Sequence, residues 1–331
     1  MNNFFMVFPP LMFIFIFIII IIGTVKNGTR KKVVLKEEIV NKYKSIAYDL
    51  INDNPEFNKA RSNYKIQSLF AYLFLGLSLT SMFVFVQLNI LFGILGFILC
   101  MVTFIIIISK RNDKVIFNNV LPKVLNRFNS DIIYDHYKKM DRNVYREARY
   151  ESFDRYSSDD YITGKVHNCP YEMAEVHTER RHTDSKGRTH YSTIFHGMFA
   201  KITLSKSFDG YLSIVNNKIK LFNRDQYITI DNEAFEKIYD VFTDDKIKAM
   251  RLLTPDVTTK MIDIYNDTGL YFEIKIYGNN LYLRVYTSAM FSFAFSNIEK
   301  ESKDIANSIA KLDSIYKITE NIINEIEGFD V

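Results

Sequence analysis

Four of the chain's six histidines lie in HTERRHTDSKGRTHYSTIFHGMF, His177 to Phe199, and His167 lies just upstream. Histidine in this density raises the question of metal chemistry. A catalytic zinc takes three protein ligands and a structural zinc four. The stretch also alternates as a strand does on either side of Asp184-Ser185-Lys186-Gly187. Aspartate first and glycine fourth suit a type I turn with a left-handed glycine, a common hairpin connection. Counting outward from that turn, Thr183 faces Thr189, His182 faces His190, Arg180 faces Ser192 and His177 faces Phe195. His182 and His190 then share one face of the ribbon while His177 points to the other. The pair offers two ligands to a divalent metal, and a third would come from His167, His196, Glu172 or Asp159. A slip of one residue in register would separate the pair.

The same arm carries Arg180, Arg181, Lys186 and Arg188. It therefore also reads as a cationic recognition surface for an acidic partner, a phosphate group or an anionic lipid surface, and this reading ranks ahead of metal binding. Carboxylates lie near the histidines in sequence at Asp159, Asp160, Glu175 and Glu179. Asp244 and Asp245, in TDDKIKAM, read as a helix cap whose charge complements the helix dipole. The chain has no Gly-rich phosphate loop, no GxSxG and no HExxH. Its two cysteines, Cys100 and Cys169, are far apart and form neither a disulfide framework nor a CxxC knuckle. A net charge of +4 gives no reason to expect nucleic acid as the main partner. No reaction follows from these residues. The leading expectation is a binding domain without catalysis or cofactor. The alternative is a metal-dependent hydrolase built on His182, His190 and a nearby carboxylate.

Long uncharged apolar runs lie almost wholly before Lys110. Phe4–Ile22 reaches about the 20 residues that a bilayer core requires. MNNFF lacks the basic start of a signal peptide, and GTVKNGTRKK lacks its cleavage pattern. Gln67–Ser109 carries no charge over more than twice that length, with Gln87 and Asn89 near its middle, as in a membrane-spanning helical hairpin. Lys and Arg cluster on one side of all three runs, which predicts an N-terminus outside and everything after Lys110 in the cytoplasm. The divisions expected are an N-terminal anchor at 1–25, an amphipathic helical linker at 26–66, the hairpin at 67–109 and a helical connector at 110–150. A cytoplasmic α+β domain at 151–331 completes the chain. The fold class expected is thus α+β, an antiparallel sheet with flanking helices behind transmembrane helices, in a multi-pass membrane protein.

Within the linker, Leu35, Ile39, Tyr43, Ile46 and Leu50 recur at helical spacing, and the helix would lie on the inner leaflet or pack on a neighbour. Asn54-Pro55-Glu56 reads as the cap and first turn of the next helix. In the domain, YEMAEVHTERRHT, RTHYSTIFHGMFAKITLSKSF, GYLSIVNNKIKLF, QYITI, YFEIKIYG and NLYLRVYT read as strands, with YGNNLY as a second hairpin turn. NEAFEKIYDVF and TPDVTTKMIDIYNDTG read as helices, the second with Pro255 at its start and Gly269 past its end. The last helix, from about Asn297 to Glu327, carries Ile315, Ile318 and Ile322 beside its main stripe. That wide apolar face favours packing on its own domain over a coiled-coil homo-oligomer.

DRYSSDDYITGKV, AEVHT, DSKGRTHYSTIFHGMFA and TDDKIKAMRLLTP together resemble a bacterial family of membrane-anchored proteins, domain of unknown function 3137. The resemblance covers roughly Ser62 to Phe295, and DSKGRTHYSTIFHG is its most specific stretch. It implies a long helical lead-in, a transmembrane hairpin and a cytoplasmic mixed domain. It implies no reaction, and Phe4–Ile22 is not part of its pattern.

Overall fold

The computed structural model describes residues 35–88, 121–126, 131–217, 226–287 and 297–328, with a few isolated positions between them. Its core is a seven-stranded antiparallel sheet: β1 (Ile133–Asp135), β2 (Arg155–Val166), β3 (Cys169–Thr183), β4 (Thr189–Asn216), β5 (Tyr227–Ile228), β6 (Tyr239–Thr243) and β7 (Phe272–Tyr286). The strand order is β1-β2-β3-β4-β6-β5, and β7 pairs with β4. β4 is the spine, pairing with β3 along its first half, β6 along its second, and β7 along both. β7 is one continuous strand, so YGNNLY is no hairpin turn. Gly278 takes a positive φ of 55° where the β4–β7 register shifts. β7 also passes so close to Gly197 that any Cβ there would collide with the Val285 carbonyl oxygen.

The helices are α1 (Glu37–Asn52), α2 (Pro55–Leu88), α3 (Leu121–Leu125), α4 (Arg142–Glu147), α5 (Glu233–Glu236), α6 (Lys246–Leu252), α7 (Pro255–Thr268) and α8 (Ile298–Glu327). Their starts follow from local capping, which satisfies backbone N–H groups that have no partner within the helix. Asn54 Oδ1 accepts from the N–H groups of Glu56 and Phe57, and Asp245 Oδ1 from those of Ile247 and Lys248. Thr254 caps α7 ahead of Pro255, and Gly269 ends it at φ 68°. NEAFEKIYDVF divides: α5 is a single turn, and Tyr239–Thr243 is strand β6.

α8 holds the molecule together. Leu312, Ile315, Ile318, Ile322 and Ile323 pack against the sheet and α7, while Ile305, Ala306, Ile309 and Ala310 pack against α1. The wide apolar face of α8 is thus buried within its own domain. α1 lies on α8 through Val40, Tyr43, Ala47 and Ile51, a stripe turned by one residue from the predicted one, and Ile46 is left exposed. Tyr43 donates to Asp313 at 2.5 Å. The opposite sheet face carries a second core of Tyr145, Val176, Phe195, Phe199 and Tyr282 under α4.

The transmembrane expectation is overturned. Among the described residues no helix is long and apolar enough to cross a membrane. Phe4–Ile22 and most of the hairpin's second limb lie outside the described residues. The hairpin's first limb belongs to α2, which begins at Pro55, well before Gln67. Its first turns carry Glu56, Lys59, Arg61 and Lys65. Those turns are docked on the domain: Phe57 and Ala60 are buried, and Arg61 pairs with the fully buried Glu301 at 2.6 Å. Counting uncharged residues made a span of what the structure shows as the continuation of a helix anchored by charged turns. With the spans go the multi-pass class, the outside N-terminus and the cytoplasmic assignment. The described part of 110–150 holds strand β1 and the short helices α3 and α4.

Candidate functional site

Two β-bulges decide which side chains meet. In the β2–β3 ladder Asp159 pairs with Glu175, but the next registered pair is Ile162 with Met173. One extra residue on β2 is accommodated there, with Asp160 at φ 52°, a conformation that aspartate tolerates better than most residues. Regular alternation would send Asp160 to the face opposite Asp159. The bulge instead brings the oxygens of Asp159, Asp160 and Glu175 within 4.8 Å of one another. The second bulge, between Thr178 and Glu179 in the β3–β4 register, adds Ile194 to β4. His177 therefore faces His196 rather than Phe195.

The carboxylate trio is flanked by imidazoles. His136 Nδ1 lies 2.6 Å from Asp160 Oδ1, an oxygen that also accepts from the Tyr134 hydroxyl, while the Asp160 N–H donates to the His136 carbonyl. His196 Nε2 lies 3.0 Å from Glu175 Oε1, and Glu175 Oε2 accepts from the Met290 N–H at 2.9 Å. His177 sits beside His196, with ring centroids 5.0 Å apart. Asp160 and Glu175 are buried, at 4% and 9% exposure, whereas Asp159 opens to solvent.

Burial pushes the Asp160 carboxyl up to about 6, against the hydrogen bonds of His136 and Tyr134, with the Asp159 charge adding to the rise. Burial also raises Asp159, and the Glu175 charge raises it further. Burial and the Asp160 charge likewise push the Tyr134 hydroxyl up, so it acts as a donor. The cluster thus forces like charges together where water is scarce, and it calls for a proton or a cation.

The residues singled out in the sequence divide between this cluster and the hairpin arm. Asp159, Asp160, Glu175 and His196 fall in the cluster. His167, at the far end of β2, lies 3.4 Å from Glu320, and Glu172 accepts from Tyr161. The predicted turn is present: the Gly187 N–H donates to the Asp184 carbonyl, the Asp184 N–H to that of Arg188, and Gly187 has φ 76°. His182 does face His190, with rings stacked at 5.4 Å, but both are exposed and His182 Nε2 lies 2.6 Å from Ser192 Oγ. Among the described residues the one trio of potential metal ligands is Asp159, Asp160 and Glu175. On the arm, Arg188 pairs with Asp184 at 2.8 Å, Arg180 donates to the Ser152 carbonyl, and Arg181 donates to Thr189. Lys186 stands at the turn. Sequence reasoning missed His136, which lies outside the histidine-rich stretch. Its signal is the short alternation Tyr134-Asp135-His136, which places tyrosine and histidine on one side of β1.

The family model described as "Protein of unknown function (DUF3137)" matches residues 193–323, from β4 through most of α8. This is the family that the sequence motifs resemble. The match includes His196 and begins after Asp159, Asp160 and Glu175. No curated protein matches the chain. A solved structure, that of the mycobacterial trehalose monomycolate transport factor A, TtfA, is similar with a TM-score of 0.33 and 6% identity. That likeness spans 60% of this chain and 93% of the other.

Proposed function

We propose that this domain is a non-catalytic binding module whose sheet takes up a divalent cation at Asp159, Asp160 and Glu175. The observation that carries the reading is the convergence of three carboxylate oxygens within 4.8 Å, two of the residues being buried. Oxygens that bind one ion at about 2.0–2.6 Å stand within such a span of each other. His136 lies against Asp160 Oδ1 and His196 against Glu175 Oε1, as hydrogen-bonded neighbours orient metal ligands. Three carboxylate oxygens suit magnesium, calcium or manganese, and divalent zinc binds a given site more tightly than manganese in the general order of affinities. Asp159, the exposed member, gives the ion its way in. The burial of the other two suits holding an ion more than offering it to a substrate.

Calorimetric titration of the chelator-treated protein with Mn²⁺ and Zn²⁺ at pH 7 tests this. One site per chain is expected, weakened at least tenfold in Asp160→Asn and in Glu175→Gln. The double variant His182→Ala/His190→Ala should bind as the wild type does. Absence of binding by either ion refutes the reading, and loss of binding in the histidine double variant moves the site to the arm.

A further inference from the structure

The ribbon of β3 and β4 outruns the strands on either side of it, and its two edges are finished differently. The Asp184 N–H donates to the Arg188 carbonyl, and bonded pairs alternate with open ones along an antiparallel ladder. His182–His190 and Arg180–Ser192 are therefore bonded pairs, while Thr183–Thr189 and Arg181–Tyr191 turn their backbone groups outward. On β3 the outward side is closed. The Arg181 N–H donates to Asp154 Oδ2 at 2.7 Å, and the Glu179 carbonyl accepts from the Asp154 N–H at 2.9 Å. On β4 it is open. β7 reaches along β4 only to Gly197, and among the described residues no strand pairs with the stretch before it on that side. The N–H and C=O groups of Thr189 and Tyr191 thus form a free edge. Such an edge is a template for a further strand, and natural proteins blunt it with proline, lysine or a covering segment. Thr189–His196 contains neither proline nor lysine, and Thr189, His190, Ser192 and Thr193 are exposed.

The charge around the edge selects what adds to it. From Arg180 to Thr193 the ribbon carries four cations, Arg180, Arg181, Lys186 and Arg188, against the single carboxylate of Asp184. The Arg155 guanidinium reaches over the Tyr191 ring, 3.3 Å from its centre, and so stands at the open strand. Asp154 and Glu179 lie toward β2, and counting them with Arg155 leaves the sign positive. A second copy of the chain would set one positive ribbon against another, and like charges across a strand pair destabilise it. We infer that the free edge of β4 takes up an extended acidic peptide segment of a partner protein, added as one more strand along Thr189–Thr193. Main-chain hydrogen bonds to Thr189 and Tyr191 supply the affinity, and carboxylates beside Arg155, Arg181 and Arg188 supply the selection.

Titration of the full chain, with chelator present, against a labelled and end-capped peptide of alternating glutamate and threonine tests this. The peptide has about eight residues, an ordinary strand length, and fluorescence anisotropy reads its binding. One saturable site is expected, weakened by salt, with amide hydrogen exchange slowed at Thr189 and Tyr191. The same peptide with glutamine for glutamate, or N-methylated throughout, should bind at least tenfold more weakly. Tyr191→Pro should abolish binding, because it removes an outward N–H at an edge position where proline is tolerated. Should that variant fail to fold, Arg155→Gln/Arg188→Gln decides: both side chains are exposed, and binding should fall at least fivefold. Asp160→Asn should bind as the wild type does, which separates this edge from the carboxylate cluster. No saturable binding at millimolar peptide overturns the inference. So does equal binding of the glutamine or N-methylated peptide, or binding that leaves exchange at Thr189 and Tyr191 unchanged. Binding to vesicles of phosphatidylcholine and phosphatidylserine in place of the peptide overturns it as well.

Discussion

Arg284→Met is expected to destabilise the protein by about 3–5 kcal/mol, the usual cost of leaving a buried charge without its partner. Arg284 lies on β7 with 1% exposure and Glu273, on the same strand, with 0%. Its guanidinium holds Glu273 Oε2 through Nε at 2.7 Å and through Nη2. It also holds Glu151 through Nη1 at 2.6 Å and lies 3.7 Å from the Tyr150 ring centre. Burial raises the Glu151 carboxyl, but the Arg284 hydrogen bonds and charge outweigh it and hold the pKa below the ordinary value. Methionine keeps most of the volume and none of the charge, so Glu273 would be stranded. Since whole domains are stable by only about 5–15 kcal/mol, the loss should show as a large fall in the urea midpoint. Adding Glu273→Leu to Arg284→Met should recover much of it, because an ion pair exchanged whole for apolar groups is often neutral. A double variant as unstable as the single one would show that the pair is not what holds this face.

The second large effect is a pH dependence that a metal ion reverses. Asp160 titrates near 3.8 when unfolded and at about 6 when folded. The folded state therefore keeps a proton that the unfolded state has released between those values. By linkage, metal-free stability falls as pH rises from about 4 to about 6, by about 2–3 kcal/mol. Above that window the buried charge is a standing cost. Asp160→Asn removes it and keeps a side chain that tolerates φ 52°. In chelator, denaturant unfolding should find the two proteins close at pH 4 and the Asn variant more stable at pH 7. Mn²⁺ at about 100 times the wild-type Kd should then restore about 2.7 kcal/mol to the wild type and at most about 1.4 kcal/mol to the variant, whose affinity is at least tenfold weaker. Parallel pH curves for the two proteins would contradict the burial of that charge.

What the sequence revealed, it revealed where local chemistry is decisive. The Asp184–Gly187 turn, the Thr254-Pro255 start and Gly269 end of α7, and the Asp245 cap depend on a few neighbouring residues, and all are present. Bulges depend on pairing between distant strands. YGNNLY has the composition of a turn yet stays within β7, opposite the irregular stretch of β4, and His177 meets His196 only because Ile194 is extra. Asp159, Asp160 and Glu175 were visible as nearby carboxylates. Their convergence was not, because alternation alone sends Asp159 and Asp160 to opposite faces. His136 reaches the cluster only because β1 pairs with β2. The apolar runs misled for a different reason: composition does not say where a helix begins, and α2 begins with charged turns docked on α8.

The cation site is tested most directly by crystals grown with Mn²⁺ and measured at a wavelength where manganese scatters anomalously. The expected map has one strong peak per chain, within bonding distance of oxygens from Asp159, Asp160 and Glu175, and none in crystals of Asp160→Asn. A peak between His182 and His190 instead, or no peak near the three carboxylates at saturating Mn²⁺, would contradict the assignment.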